Sequence, residues 1–241
     1  MSGHSKWATI KHKKAATDAK RGKIFTTIIK EITIAAREGG GDPESNPRLR
    51  QAIANAKSAN MPSDNITRAI KKGTGELPGV NYEETIYEGY GPAGVAIMMA
   101  CLTDNKKRTV ANIRHLITKY GGNLGENGSV SWMFDKKGQI TLKANSVDEE
   151  KVFEDALEVG AEDFEVARGF IILSTDPSDT MSVLDALEEK GYEVESANID
   201  MVPKNLQNVD SDKEQSVITL LEALEDHDDI KAVFTNFDTE N

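Results

Sequence analysis

Apolar residues recur at helical spacing in the first third of the chain and at strand spacing beyond it. Over Gly22–Glu38, Ile24, Ile28, Ile32 and Ala35/Ala36 fall at intervals that predict an amphipathic helix, stopped by Gly39–Gly41. Asn46 reads as an N-cap with Pro47 at the first helical position, and Leu49, Ala52, Ile53 and Ala56 line one face. After Asn60-Met61-Pro62, Ser63 caps a short helix carrying Ile66, Ala69 and Ile70, which ends at Gly73. Residues 1–75 are expected to form a three-helix unit with a basic lead, followed by a Gly/Pro-containing linker, Thr74–Val80.

From Tyr82 the pattern changes. Glu84–Tyr90 and Val95–Thr103 read as strands joined by a Gly91-Pro92 turn. A helix over Lys106–Tyr120 presents Val110, Ile113, Leu116 and Ile117, and Ser129–Phe134 returns as a strand. Strand Gln139–Ala144, helix Asp148–Val159, strands Phe164–Ala167 and Phe170–Ser174, helix Asp179–Lys190 and strand Glu193–Ile199 follow. That order, βαββαβ, is the ferredoxin-like split βαβ module. The tail offers a strand at Asp200–Pro203, a helix at Glu214–Leu224 and a strand at Ala232–Phe237, too few for a domain alone. Joined to 82–134 they give a second βαββαβ-like set. The expected fold class is therefore α+β: a three-helix N-terminal domain (1–75) and two ferredoxin-like α/β domains. One of these is discontinuous (82–134 and 201–241), with the other (135–200) inserted in it.

Composition supports several small cores, since 38% of the 241 residues are hydrophobic and only 6% aromatic. The lone cysteine, Cys101, excludes an intramolecular disulfide and a Cys-based zinc cluster, and its apolar run marks it as a small core residue. No stretch approaches the ~20 apolar residues of a membrane span, and the N-terminus lacks the apolar region of a secretory signal. A cytoplasmic protein is expected.

Charge changes the picture most. The net −11 conceals a bipolar chain. Residues 1–75 hold fifteen Lys/Arg against six Asp/Glu (net +9), and residues 76–241 hold fourteen against thirty-four (net −20). The first 25 residues alone carry seven basic residues and one acid, Asp18. Lys6, Lys11, Lys13, Lys14, Lys20, Arg21 and Lys23 are candidate phosphate contacts, because counterion release needs charge density but no fixed geometry. Trp7 among them, with His4 and His12, offers a stacking face for an unpaired base; the alternative is a Trp7 packed on the three-helix unit.

Arg48, Arg50, Lys57, Arg68, Lys71 and Lys72 extend the charge onto the helices. The last two helices could mimic a helix-turn-helix, but their short second member fits an ordinary hairpin better. Lys106, Lys107 and Arg108, with Arg114, form a second basic cluster at a helix start. It serves either as a phosphate contact or as a solvated turn balanced by Asp104. Gly121–Ser129 is glycine-rich but lacks the Gly-Lys-Ser/Thr ending of a P-loop. No catalytic or metal-site motif is present, and no cofactor is expected. Asp226-His227-Asp228-Asp229 could hold a cation but reads as solvated surface.

Five blocks, GHSKWATIKHKKAATDAKRGKIF, GGGDPESNPRLRQAIANAKSANMPSDNITRAIKKG, YEGYGPAGVAIM, LTDNKKRTVANIRH and GGNLGENGSVSWMF, resemble the signatures of the YebC/PmpR family, also called DUF28 or TACO. Thr27 stands where a basic residue is common in the family, and Lys106-Lys107 where Arg-Asn is frequent. The resemblance implies three domains, one interrupting another, and a non-enzymatic regulator of gene expression. Some members are DNA-binding transcriptional regulators. Others are translation factors that act on the ribosome and ease stalling at proline-rich stretches, and mitochondrial relatives activate translation. The flexible Lys/Trp/His arm favours ribosomal RNA as the target; promoter duplex, bound as a homodimer through residues 1–75, is the alternative.

Overall fold

The computed structural model describes Trp7 and residues 18–144, 148–167 and 169–239. Seven α-helices occupy these residues: α1 (Asp18–Gly39), α2 (Pro47–Ser58), α3 (Ser63–Gly73), α4 (Lys106–Lys119), α5 (Glu149–Glu158), α6 (Thr180–Glu189) and α7 (Ser211–Glu225). The strands are β1 (Glu83–Tyr90), β2 (Ala96–Thr103), β3 (Asn123–Leu124), β4 (Phe134–Lys143), β5 (Asp163–Ala167), β6 (Phe170–Thr175), β7 (Val194–Pro203), β8 (Gln207–Val209), β9 (Ile230–Thr235) and β10 (Phe237–Thr239). The architecture is α+β.

Asn46 organises the first unit. Its Oδ1 accepts from Leu49 N at 3.1 Å, capping α2, while its Nδ2 donates to the carbonyls of Ala35 and Gly40 at 2.8 Å, closing α1. Ile32, Leu49, Ala52, Ala56, Met61, Ile66 and Ala69 fill the space between the three helices. Gly73 lets the end of α3 lie on α1, because a Cβ there would stand 2.5 Å from the Thr33 carbonyl.

The first sheet has the order β3-β1-β2-β9 with antiparallel neighbours, so strands from both sides of residues 135–200 share it. The expected turn joins the first two strands: a one-turn 3-10 helix, Pro92–Gly94, links β1 and β2, which pair as a hairpin. The elements feeding this sheet therefore run ββαβ and then αβ, where the sequence reading grouped them as a βαββαβ-like set. β2 is central and covered on both faces. Ile97, Met99 and Cys101 face Ile113 and Ile117 of α4 and Val217, Leu220, Leu221 and Leu224 of α7. Ala96 and Met98 pack with Val130 and Phe134 on the other face.

The second sheet, β5-β6-β4-β7, is wholly antiparallel and has the ferredoxin-like strand order, with α5 and α6 completing its core. Residues expected as a strand at Ser129–Phe134 instead form a 3-10 turn, Ser131–Met133, that leads into β4. The strands expected at Gln139–Ala144, as far as Lys143, and at Asp200–Pro203 are parts of the longer β4 and β7, paired from Phe134↔Pro203 to Leu142↔Val194. The polar run Asp135-Lys136-Lys137-Gly138 hides that continuity from apolar periodicity. Residues 207–209 and 237–239 add a small parallel pair, β8 with β10, that was not anticipated.

Candidate nucleic-acid interface

The core of the three-helix unit fixes which side chains of α2 and α3 face outward. With Ile66, Ala69 and Ile70 turned inward, Arg68, Lys71 and Lys72 occupy the opposite side of α3 at i, i+3 and i+4. Arg50 and Lys57 lie two turns apart on α2 and are also exposed. These five cations make no ion pair with any described residue, which leaves their charge available to a ligand.

Other candidates are already committed. Arg48 lies between three carboxylates: Nε to Glu31 at 2.8 Å, Nη1 to Glu38 at 2.8 Å and Nη2 to Glu84 at 2.9 Å. Glu31 also accepts from Lys231 at 2.8 Å, so the group ties α1 and α2 to the first sheet. Burial acts to raise the Glu31 pKa, but the charge of Lys231 and hydrogen bonds from Arg48 and Lys231 lower it. Lys106 pairs with Glu83 at 2.6 Å, and Arg108 pairs with Asp104 at 2.6 Å and Asp229 at 2.9 Å. Their carboxylates therefore neutralise Arg48, Lys106 and Arg108, and of the 106–108 triplet only Lys107 has no ion pair among the described residues. Asn105 caps α4, its Oδ1 accepting from Arg108 N at 3.0 Å.

Trp7 requires a correction. Its side chain is 3% exposed and belongs to the core of the first sheet with Val217, Leu220 and Phe237, so it offers no face for a base. It is neither a stacking platform nor part of the core of the three-helix unit. Lys23 donates to the Glu225 carbonyl at the end of α7. Lys6, Lys11, His12, Lys13 and Lys14 lie outside the described residues, as do the side chains of Lys20 and Arg21.

An exposed aromatic that sequence reasoning missed is Trp132, 65% exposed in the 3-10 turn. Its Nε1 donates to the Ser129 carbonyl at 3.1 Å. The turn is braced from within by Glu88, a buried carboxylate that accepts from Gly128 N (2.8 Å), Val130 N (2.7 Å) and Ser131 N (2.8 Å). Burial alone would raise its pKa; the three backbone N–H groups lower it. The only signal in the sequence was a tryptophan directly after a glycine-rich loop, and reading 129–134 as a strand masked it.

Beside α4, an open depression of about 400 Å³ is lined by Arg108, Asn112, Asp226, His227, Asp228 and Asp229. It is not a cation site: Asp229 is buried against Lys30 (3.0 Å) and Thr109 (2.8 Å) as well as Arg108. Among the described residues no group of three or more His, Cys, Asp or Glu is placed to hold a metal. His227 Nδ1 accepts from Asp229 N at 3.1 Å, and burial lowers its pKa. Cys101 is buried and its thiol is pushed up to about 12 by desolvation, so it is inert as a nucleophile.

Residues 5–76 match the family model of the TACO1/YebC protein N-terminal domain, and residues 82–237 match that of the TACO1/YebC second and third domain. A probable transcriptional regulatory protein of Treponema denticola is 57% identical over 238 residues, spanning 99% of this chain and 96% of its own length. Another of that description, from Geobacter sulfurreducens, is 56% identical over the same shares. The crystal structure of a conserved hypothetical protein from Aquifex aeolicus superposes with a TM-score of 0.91 at 50% identity, covering 98% of each chain. From its first helix to its last strands, the chain belongs to the TACO1/YebC family.

Proposed function

We propose that this protein is a non-enzymatic, cytoplasmic regulator of gene expression. It binds nucleic acid through residues 1–75 and acts on ribosomal RNA as a translation factor that eases stalling. The observation that carries this reading is the division of the cations. Arg50, Lys57, Arg68, Lys71 and Lys72 stand exposed without ion pairs among the described residues, while Arg48, Lys106 and Arg108 are each paired with carboxylates of the fold. Lys107 and the arm residues Lys6, Lys11, His12, Lys13, Lys14, Lys20 and Arg21 complete the proposed contact set. Its domains are 1–75, the discontinuous 82–134 with 201–241, and the inserted 135–200.

Two features favour RNA. Trp132 presents an indole suited to an unpaired base, a feature duplex DNA has little use for. A recognition helix meets base edges with its N-terminal turn, yet that turn of α3 carries Asp64, exposed and acidic. The names of the bacterial relatives favour the second reading, a transcriptional regulator that binds promoter duplex, as a homodimer, through the N-terminal helices.

Titration of the purified protein with ribosomes, random duplex DNA and a genomic duplex library separates the two readings. Saturable ribosome binding that survives excess random duplex supports the first. Selection of one duplex sequence well above random, with no ribosome binding, overturns it in favour of the second.

A further inference from the structure

Residues 148–165 carry nine Asp/Glu and a single basic residue, Lys151, yet three large apolar side chains stand exposed in and beside this segment. Phe153 and Leu157 on α5 are 44% and 52% exposed, and Val166 on β5 is 41% exposed. They form one ridge. Phe153 and Leu157 lie one helical turn apart. The Phe153 ring meets Phe164 edge-on with centroids 5.4 Å apart, and Val166 follows two positions along β5 on the same face as Phe164. Phe164 itself packs against the core of the second sheet, which roots the ridge.

Glu149, Glu150 and Glu154 flank the apolar pair on α5, exposed and without an ion pair among the described residues. Asp155 and Glu158, by contrast, are held by Lys190 at 2.7 Å each. β5 is the outer strand of its sheet and, among the described residues, pairs only with β6. Carboxylates without counter-ions would repel phosphate, so this face is closed to the nucleic acid that suits α2 and α3.

We propose that the α5–β5 margin is a docking surface for a Lys/Arg-rich protein segment bearing apolar side chains at alternate positions. The cations of the segment meet Glu149, Glu150 and Glu154, its apolar side chains cover Phe153, Leu157 and Val166, and its backbone lies along the outer edge of β5. The surface is built from α5 and β5 rather than from the basic helices α2 and α3, and does not depend on which nucleic acid they bind.

The test uses the full chain and two labelled synthetic peptides of equal charge, one alternating Lys with Leu and one alternating Lys with Ser, followed by fluorescence anisotropy at physiological salt. The Lys/Leu peptide is expected to bind about tenfold or more tightly than the Lys/Ser peptide. The double variant Phe153→Ser/Leu157→Ser should lose that preference, while Glu149→Gln/Glu150→Gln/Glu154→Gln should weaken both peptides. Equal binding of the two peptides by the wild type overturns the proposal, and so does an undiminished preference in the Ser variant. A wild-type dimer in sedimentation that the Ser variant dissolves also overturns it, since the occupant is then a second copy. If the Ser variant does not fold, the Gln variant carries the test: unchanged affinity for the Lys/Leu peptide overturns the proposal.

Discussion

Replacing Asp229 with Asn probes the junction between the three-helix unit and the first sheet. Asp229 is 6% exposed, and its carboxylate accepts from Lys30 Nζ at 3.0 Å, Arg108 Nη2 at 2.9 Å and Thr109 Oγ1 at 2.8 Å. Burial pushes its pKa up, but hydrogen bonds from Arg108, Lys30 and Thr109 outweigh that and hold it at about 2, below the ordinary 3.8. A depression of this size stabilises the folded state by roughly 2 kcal/mol. Because the folded pKa lies below the unfolded one, this stability is fully present above about pH 4 and is lost as pH falls through about 2. The Asn variant also strands the Lys30 charge. Removing one partner of a buried pair costs about 3–5 kcal/mol. The carbonyls of Leu102 and Asp228, each 3.0 Å from Lys30 Nζ, soften the loss. We expect a destabilisation of about 2–3 kcal/mol at pH 7, read as a lower urea midpoint by far-UV circular dichroism. The gap between variant and wild type should narrow steadily as pH falls from about 4 toward 2. An Asn variant as stable as wild type at pH 7, or a gap that persists undiminished in acid, would refute the reasoning.

Trp7→Ala should cost about 3 kcal/mol in urea unfolding, since it empties a core site; a variant of wild-type stability would show that Trp7 is not core. Trp132→Ala should leave the urea midpoint within about 0.5 kcal/mol of wild type and weaken single-stranded RNA binding by about 1–3 kcal/mol. Unchanged affinity removes Trp132 from the interface. Changing Arg68, Lys71 and Lys72 together to Ala should reduce the log–log salt slope of binding by about two to three units without altering stability; an unchanged slope rejects α3 as the contact. Gly73→Ala should destabilise by about 1–3 kcal/mol, because its Cβ would sit 2.5 Å from the Thr33 carbonyl, and a neutral result would mean that α3 can shift.

Local grammar made much of this fold legible. Asn46-Pro47 marked the start of α2 within a residue, because a cap is a local hydrogen bond between a side chain and its own helix. The order of helices and strands in 135–200 gave the ferredoxin-like module, since each apolar run there is bounded by its own turn. What failed was set by distant pairing. β4 and β7 extend as a ten-residue ribbon only because each supplies partners to the other across Lys136↔Met201 and Lys137↔Asp200, positions with little apolar content of their own. β8 has three residues, and each pairs with a residue of β10 that lies 30 positions downstream, a separation no periodicity reports.

The proposed interface was legible as charge but not as commitment. The sequence places Arg48 and Arg50 two positions apart with equal claims on a phosphate, yet α2 turns by about 200° between them. One guanidinium therefore meets Glu31, Glu38 and Glu84, and the other faces solvent. The same sorting separates Lys107 from Lys106 and Arg108, whose carboxylates come from β1, the α4 cap turn and the segment before β9. It acts on aromatics too: Trp7 sits in a lysine-rich arm and is buried, while Trp132 sits in an unremarked turn and is exposed. A residue's availability to a ligand is thus fixed by which acids and cores the fold brings to it. The net +9 of residues 1–75 overstates the surface charge of α2 and loses nothing on α3. If binding follows availability rather than charge count, Arg50→Ala must weaken nucleic-acid affinity more than Arg48→Ala, while Arg48→Ala must cost more stability.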